Sequence, residues 1–376
     1  MSSLKVNIYT PQELNHSSYI QTGLFELEKD GFLSTKVRLS LSKKLGTIKV
    51  ANSELLETSE PHPKTSFYEL ENTSTGKKIK FATDLYDASH SFSAYALEHC
   101  DFVFKRNFEK KNIQYLPQKY QDKLLPLGLT FGCHSPQKKQ WYKFVIGYVL
   151  NVLLLNFKID SYFFKRYQRE FRTIKNHLKH IKTTRSITNF EVYKASNLSN
   201  EILFQTRCFS SEKSDDVKGI HLQRYKIIKL LRDKFPNEFK GGIIPSNISK
   251  TNYSDALTNL SSDPISYLNQ VKKTKIVIYT RGLVNSPAWK MPEYLSQGKV
   301  IIAEKLTTEL PIPLTHGKEV LFFEKEEEIP TIIQNTMYHN ELCNSLAKNA
   351  RSYFEQNVHP KENVKRMLTF MLQNTK

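Results

Sequence analysis

The chain has 376 residues, and its 55 Lys and Arg against 37 Asp and Glu give a formal net charge of +18 with His neutral. A hydrophobic fraction of 39% with 24% charged residues excludes a disordered chain, and one core for the whole length would be unusually large, so two domains are expected. The positive surplus draws anionic partners (nucleic acid, phosphorylated small molecules or an acidic membrane surface), with a solvated basic surface as the plain alternative.

The start, MSSLKVNIYTPQEL, passes from polar residues into a short β-like run and has no apolar core of a secretory signal, so a cytoplasmic location is expected. Lys5–Tyr9 is the first predicted strand. Lys78–Ala82 and Asp101–Phe104 follow, with a helix over Phe92–His99 between them, whereas residues 36–75 give a mixed, turn-rich pattern. Cys100, Cys133, Cys208 and Cys343 lie far apart with no CxxC pair, which excludes a zinc knuckle and a disulfide framework and suits a reducing compartment.

Pro and Gly breakers fill Pro117–Gln140, and an apolar run, Phe144–Phe157, comes next. Its 14 residues fall short of the ~20 that span a bilayer as a helix. The segment Lys158–Arg185 then carries nine Lys and Arg but only two acids, and Arg166, Arg169, Arg172, Lys175, Lys179 and Lys182 share one helical face by their spacing. Apolar run and basic face together suit a surface resting on anionic lipid; a core helix beside a solvated face is the alternative. Ser186–Leu198 reads as the bridge between domains.

Beyond it the pattern is clearer. Glu201–Gln205 is a strand, Leu222–Lys234 a helix, and the two glycines of Gly241–Ile244 turn into another strand. A short helix at Pro264–Val271 precedes the β-branched strand Lys275–Tyr279, a loop over Thr280–Trp289, a helix at Met291–Gln297 and a strand at Val300–Ala303. Glu319–Phe323 is strand-like, and Glu326–Thr336, Glu341–Gln356 and Pro360–Gln373 are helical. Strands alternating with helices predict parallel βαβ units, hence two Rossmann-like α/β domains, residues 1–190 and 196–358, with 359–376 as a C-terminal helix returning to the first.

Lys275–Glu304 carries the chemistry: a buried strand, a polar loop containing Gly282, a helix start and a second buried strand. Free amides and a positive dipole at a helix start suit a diphosphate, and Lys290 stands beside it; Glu293 in the first turn is also what a plain helix start favours. The stretch Lys290-Met-Pro-Glu293-Tyr-Leu-Ser-Gln-Gly298-Lys-Val-Ile-Ile resembles the donor-domain signature of GT-B glycosyltransferases, closest to the exostosin-like and spore-maturation types and more distantly to family 4. Leu314–Phe323 with its Gly317-Lys-Glu319 resembles a following strand of those proteins, Leu346–Tyr353 a following helix, and Phe204–Arg207 with the Arg224 helix the first βα unit, so the likeness covers about 170 residues from Asn200 onward.

The resemblance implies a GT-B fold, two Rossmann-like domains facing a central cleft, and metal-independent transfer from a nucleotide sugar, a co-substrate rather than a cofactor, to a glycan or lipid-linked acceptor. Glu293 would then bind the ribose hydroxyls, Lys290, Arg207 and Arg281 would neutralise the diphosphate, and Trp289 or Tyr279 would border the base or sugar. Family 4 carries an earlier glutamate where this chain has Asn285, so the stereochemical outcome stays open. An inverting reaction needs a base, and Asp84, Asp87 and His90 follow the Lys78–Ala82 strand; helix capping is the other use for the two aspartates. Lys105 and Arg106, just past the next strand, could add phosphate contacts or form a solvated turn. The rival readings are a degenerate GT-B protein that binds without turnover, an epimerase of similar architecture, and, more weakly, a basic nucleic-acid-binding protein, for which Tyr162, Phe163, Phe164, Tyr167 and Phe171 interleave with the basic residues.

Overall fold

The computed structural model describes residues 3–40, 44–137, 141–155, 163–193 and 198–375. In chain order its elements are β1 (Leu4–Thr10), α1 (Leu14–Lys29), β2 (Ser34–Leu39), β3 (Thr47–Ala51), β4 (Glu54–Thr58), β5 (Thr65–Asn72), β6 (Lys78–Asp84), β7 (Ser91–Ser93), α2 (Ala94–His99) and β8 (Phe102–Lys105). Then come α3 (Lys110–Ile113), α4 (Gln118–Gln121), β9 (Leu124–Pro126), α5 (Trp141–Leu155), α6 (Phe163–Thr183), α7 (Thr188–Glu191), β10 (Ser199–Arg207), α8 (Asp215–Lys234) and β11 (Phe239–Ile244). The rest are α9 (Asn247–Asn252), α10 (Pro264–Lys273), β12 (Thr274–Tyr279), α11 (Lys290–Ser296), β13 (Val300–Glu304), β14 (Leu321–Phe323), α12 (Ile329–Met337), α13 (Asn340–Tyr353) and α14 (Pro360–Asn374). Contacts divide the chain into two compact units, Met1–Thr188 with His359–Lys376 and, between them in sequence, Asn189–Val358.

The class is α/β. In the first unit six strands run in the order β2-β1-β5-β6-β8-β9. β5 is antiparallel to both neighbours while the other pairs are parallel, so this sheet departs from an all-parallel Rossmann pattern at one strand. The described residues of 36–75, where sequence pattern was mixed, include β2 to β5; β3, β4 and β7 make a separate antiparallel sheet, and β4 is exposed along its whole length, which removes any alternation. Ile48, Val50 and Phe92 of that small sheet bury against Phe67, Ala82 and Val103 of the large one.

α1 lies against α14. Gly23 makes that approach feasible, since a Cβ there would run into the carbonyl oxygen of Pro360 and Cγ2 of Val364. Buried Asn363 of α14 locks the pair, its amide donating to the Tyr19 hydroxyl and the Leu127 carbonyl, each at 3.0 Å.

The second unit has a fully parallel sheet, ordered β11-β10-β12-β13-β14. Ile202 and Phe204, Ile276 and Ile278, and Val300 and Ile302 line one face, packed on Ile227, Ile228 and Leu231 of α8. The alternating Leu203, Val277 and Ile301 are equally buried, so both faces are covered, as parallel sheets require. From β10 the chain steps outward to β11, then returns past β10 to β12 and proceeds the other way. The gap between β10 and β12 is therefore a topological switch point, where adjacent crossovers leave on opposite faces and open a crevice at the strands' carboxyl ends.

No described helix is long and apolar enough to cross a membrane. α5 holds the described part of the predicted apolar run; residues 156 and 157 of that run lie outside the described residues, as do 138–140 and 194–197 of the predicted loop and bridge.

A Gly23→Ala substitution is expected to force α1 and α14 apart at a cost of about 1–3 kcal/mol, read as a lower urea midpoint with an unchanged slope.

Candidate functional site

Positive charge gathers at the carboxyl ends of β10 and β12. Arg224, on α8, is buried at 7% exposure and makes no ion pair among the described residues. Its guanidinium donates instead to the carbonyl of Arg207 at 2.8 Å, the carbonyl of Arg281 at 3.1 Å and the Thr280 hydroxyl at 3.4 Å, and lies over the Phe209 ring. It thereby ties together the ends of the two strands flanking the switch point. Burial and the nearby Arg207 charge lower its pKa to about 10, so it remains a cation at neutral pH.

Lys290, the first residue of α11, donates its ammonium to the carbonyl of Gln205, two residues before the end of β10, and stands 4.7 Å above the Tyr267 ring. Burial, then the Arg224 charge and more weakly that of Arg207, outweigh the attraction of Glu293 and bring its pKa down to about 7. Arg207 is exposed, and among the described residues its guanidinium has no carboxylate partner. Glu293 is 5% exposed in the turn that Lys290 begins. Trp289 is half-buried just ahead of it. Tyr279 is buried, and its hydroxyl accepts the Ala288 amide at 2.7 Å.

Two sequence expectations are corrected here. The Met291 amide bonds the Ala288 carbonyl at 3.2 Å, position 292 is a proline with no N–H, and the Glu293 amide bonds the Trp289 carbonyl at 3.4 Å. The expected row of open amides for a diphosphate is therefore reduced to that of Lys290. Arg281, expected to meet phosphate, is neutralised: Nη1 pairs with Asp216 at 2.6 Å, Nε faces Glu304 at 3.6 Å, and its amide donates to Glu304 at 2.9 Å. The loop that follows is pinned as well, the Gly282 amide to the Ser286 carbonyl at 2.8 Å and the Val284 amide to Asp216 at 2.9 Å. Val284 and Asn285 hold φ of 53° and 56°, a strained conformation for a β-branched residue, and Asp216 holds it in place.

In the first unit the three base candidates fare differently. Asp84, at 1% exposure, accepts the ammonium of fully buried Lys105 at 2.8 Å and the Tyr86 amide at 3.0 Å. These partners face each other in the β6–β8 register, so the pair is sealed inside the unit and neither member reaches a ligand. Asp87 binds Arg106 at 2.7 Å and Lys64 at 2.6 Å; burial pushes its pKa up, but those two cations outweigh it and hold it at about 2, a poor proton acceptor. Arg106 is accordingly occupied rather than free for phosphate. His90 is half-exposed, and burial, with Lys105 and Lys49 nearby, lowers its pKa and keeps its imidazole neutral. Of the three, His90 alone is both partly exposed and without an ion pair among the described residues.

Sequence reasoning overlooked Arg224 as a site residue, along with Gln205 and Asp216. Pro292 was the available signal against an amide-lined helix start.

No protein-family model and no curated protein sequence matches the chain. Among solved structures it is similar to the C-terminal domain of a glycosyl transferase group 1 family protein (LpcC) from Francisella tularensis, at 11% identity over 46% of this chain and 97% of that one, with a TM-score of 0.31. It is also similar to a glycosyltransferase from Rickettsia africae, at 12% identity over 73% of this chain and 64% of that one, TM-score 0.38. HepE from Anabaena, in complex with UDP and glucose, matches at 12% identity over 73% and 64%, TM-score 0.36. The chain thus spans just under two thirds of the last two, and at these identities and TM-scores the likeness assigns no residue a role.

The low pKa of Lys290 means that the folded protein holds fewer protons than the unfolded chain between pH about 7 and 10.5. Stability is expected to rise with pH across that window, by at most about 1.4 kcal/mol per pH unit, and Lys290→Met to flatten the rise in urea titrations. Lys105→Met, which strands the Asp84 carboxylate, is expected to cost about 3–5 kcal/mol in the same assay.

Proposed function

We propose that the protein is a glycosyltransferase of the GT-B type, taking a nucleotide sugar in the second unit and passing its sugar to a glycan or lipid-linked acceptor, as in surface polysaccharide assembly. One observation carries the reading. Three cations without a carboxylate partner, Arg207, Arg224 and Lys290, converge at the switch point of a parallel sheet, where open α/β folds take their ligands. The resemblance of Lys290–Ile302 to a GT-B donor signature supports the same site.

In this reading the leaving nucleoside diphosphate gains charge as the glycosidic bond breaks. Lys290 and Arg207 meet that charge, and Arg224 holds the two strand ends in place and adds its field from a buried position. Glu293, in the same turn as Lys290, accepts the ribose hydroxyls. No metal step is invoked, because side chains supply the positive charge. His90 takes the acceptor proton if the transfer inverts. A cytoplasmic site of action goes with a nucleotide-sugar donor.

Paired Arg281, the closed α11 amides and Asn285 favour one second reading, a nucleotide-binding protein without turnover. Release of sugar from a nucleotide sugar distinguishes the two.

The test is a thermal-shift screen with UDP, GDP and their sugars. A fitting diphosphate at 100 times its Kd is expected to add about 2.7 kcal/mol of stability, seen as a rise of several degrees in Tm. Lys290→Ala and Arg207→Ala should each weaken binding at least about tenfold, whereas Arg281→Ala, which removes an already neutralised charge, should change it far less. Because an anion restores the Lys290 proton, affinity should fall as pH climbs above about 7. A flat response to every nucleoside diphosphate rejects the donor site.

A further inference from the structure

We propose that α5 and α6 form a docking surface for an anionic lipid bilayer, with α6 lying in the interface. Gly147 seats α5 against Thr10 of β1, and Phe144 is buried beneath it, which leaves Tyr142, Ile146 and Leu150 on one outward stripe at four-residue spacing. α6 packs on α5 and α1. Its exposed face carries Phe164 at 78%, Tyr167 at 53% and Phe171 at 64% exposure, followed by Leu178. The spacings of three, four and seven residues place these side chains in one line along the helix.

Lys165, Arg172 and Lys179 flank that line, Lys175 and Lys182 interrupt and continue it toward the helix end, and all five are exposed. The described side chains of α6 include no carboxylate; those of Arg166, Arg169 and Glu170 lie outside the described set. Large apolar rings so exposed are uncommon on a water-facing helix. An apolar line with a cationic line along its flank is what an interfacial helix presents: rings enter the acyl boundary while Lys and Arg reach the phosphates. Charge complementarity selects the lipid, since a neutral bilayer satisfies the rings alone. α5 adds apolar area, and its 15 residues keep it from spanning.

A single-stranded nucleic acid also pairs aromatics with cations, but it threads bases between them. Here the aliphatic Ile146, Leu150 and Leu178 extend the apolar line, and they offer no stacking face.

The experiment is co-sedimentation of the full chain with vesicles of neutral phosphatidylcholine, with or without phosphatidylglycerol at roughly a third of the lipid. Binding is expected only to the anionic vesicles. The double variant Phe164→Ser with Phe171→Ser should lower the partition coefficient about tenfold or more at any salt concentration, while Lys175→Ala with Lys179→Ala should lose binding in a salt-sensitive way. All four side chains are exposed, so an unchanged melting temperature checks the fold of each variant. A labelled oligonucleotide forms the second arm. Failure to sediment with anionic vesicles, vesicle binding indifferent to the ring substitutions, or oligonucleotide binding that the ring substitutions abolish while vesicles go unbound would each overturn the proposal. Nucleotide binding is not involved in any of these outcomes.

Discussion

A guanidinium withdrawn from water without a counter-ion is the constraint on which the second unit is organised. Arg224 must be compensated by dipoles, and the dipoles it uses are the carbonyls of Arg207 and Arg281 and the Thr280 hydroxyl. Buried cations are costly unless their hydrogen bonds are met, so these bonds fix the ends of β10 and β12 at a set distance. The same cation raises the cost of charging Lys290, whose ammonium leans on Gln205 in the same strand. The unit folds around a positive field that Glu293 and Glu304 offset only in part.

The two units treat charges at strand ends in opposite ways. At the ends of β6 and β8, Asp84 meets Lys105, and Asp87 meets Arg106 and Lys64, so acids and bases cancel in place. At the ends of β10 and β12 the bases stand together; Asp216 and Glu304 pair with Arg281, and Glu293 offsets Lys290 only in part. The first arrangement pairs its charges; the second leaves cations without a carboxylate ion pair among the described residues. Both arise from residues placed just past the strands of a mostly parallel α/β sheet, and partner choice alone sets the difference.

The second unit was largely legible because Lys275–Tyr279 and Val300–Ala303 are buried on both faces and read as unbroken β-branched runs. α1 left no trace for the opposite reason: with Tyr19, Ile20, Leu24 and Phe25 buried together with Ser17, Gln21 and Thr22, its apolar and polar residues show no contrast between faces. β4 was hidden because nothing in it is buried. At the site, Lys290 and Glu293 were legible from a local signature. The fate of Asp84, Asp87 and Arg281 was not, because each is decided by a partner 19 to 65 positions away in sequence. Arg224 looked like one more base on a Lys-rich helix, and only the strand order reveals where it points.

The placement of α14 also governs how the molecule is made. Its partner α1 emerges early from the ribosome, yet the surface around Tyr19 and Gly23 stays uncovered until the whole of Asn189–Val358 has been synthesised and α14 follows. The inserted unit can close cooperatively while the first is still open on that side. Through that interval the face of α1 that receives α14 stays uncovered.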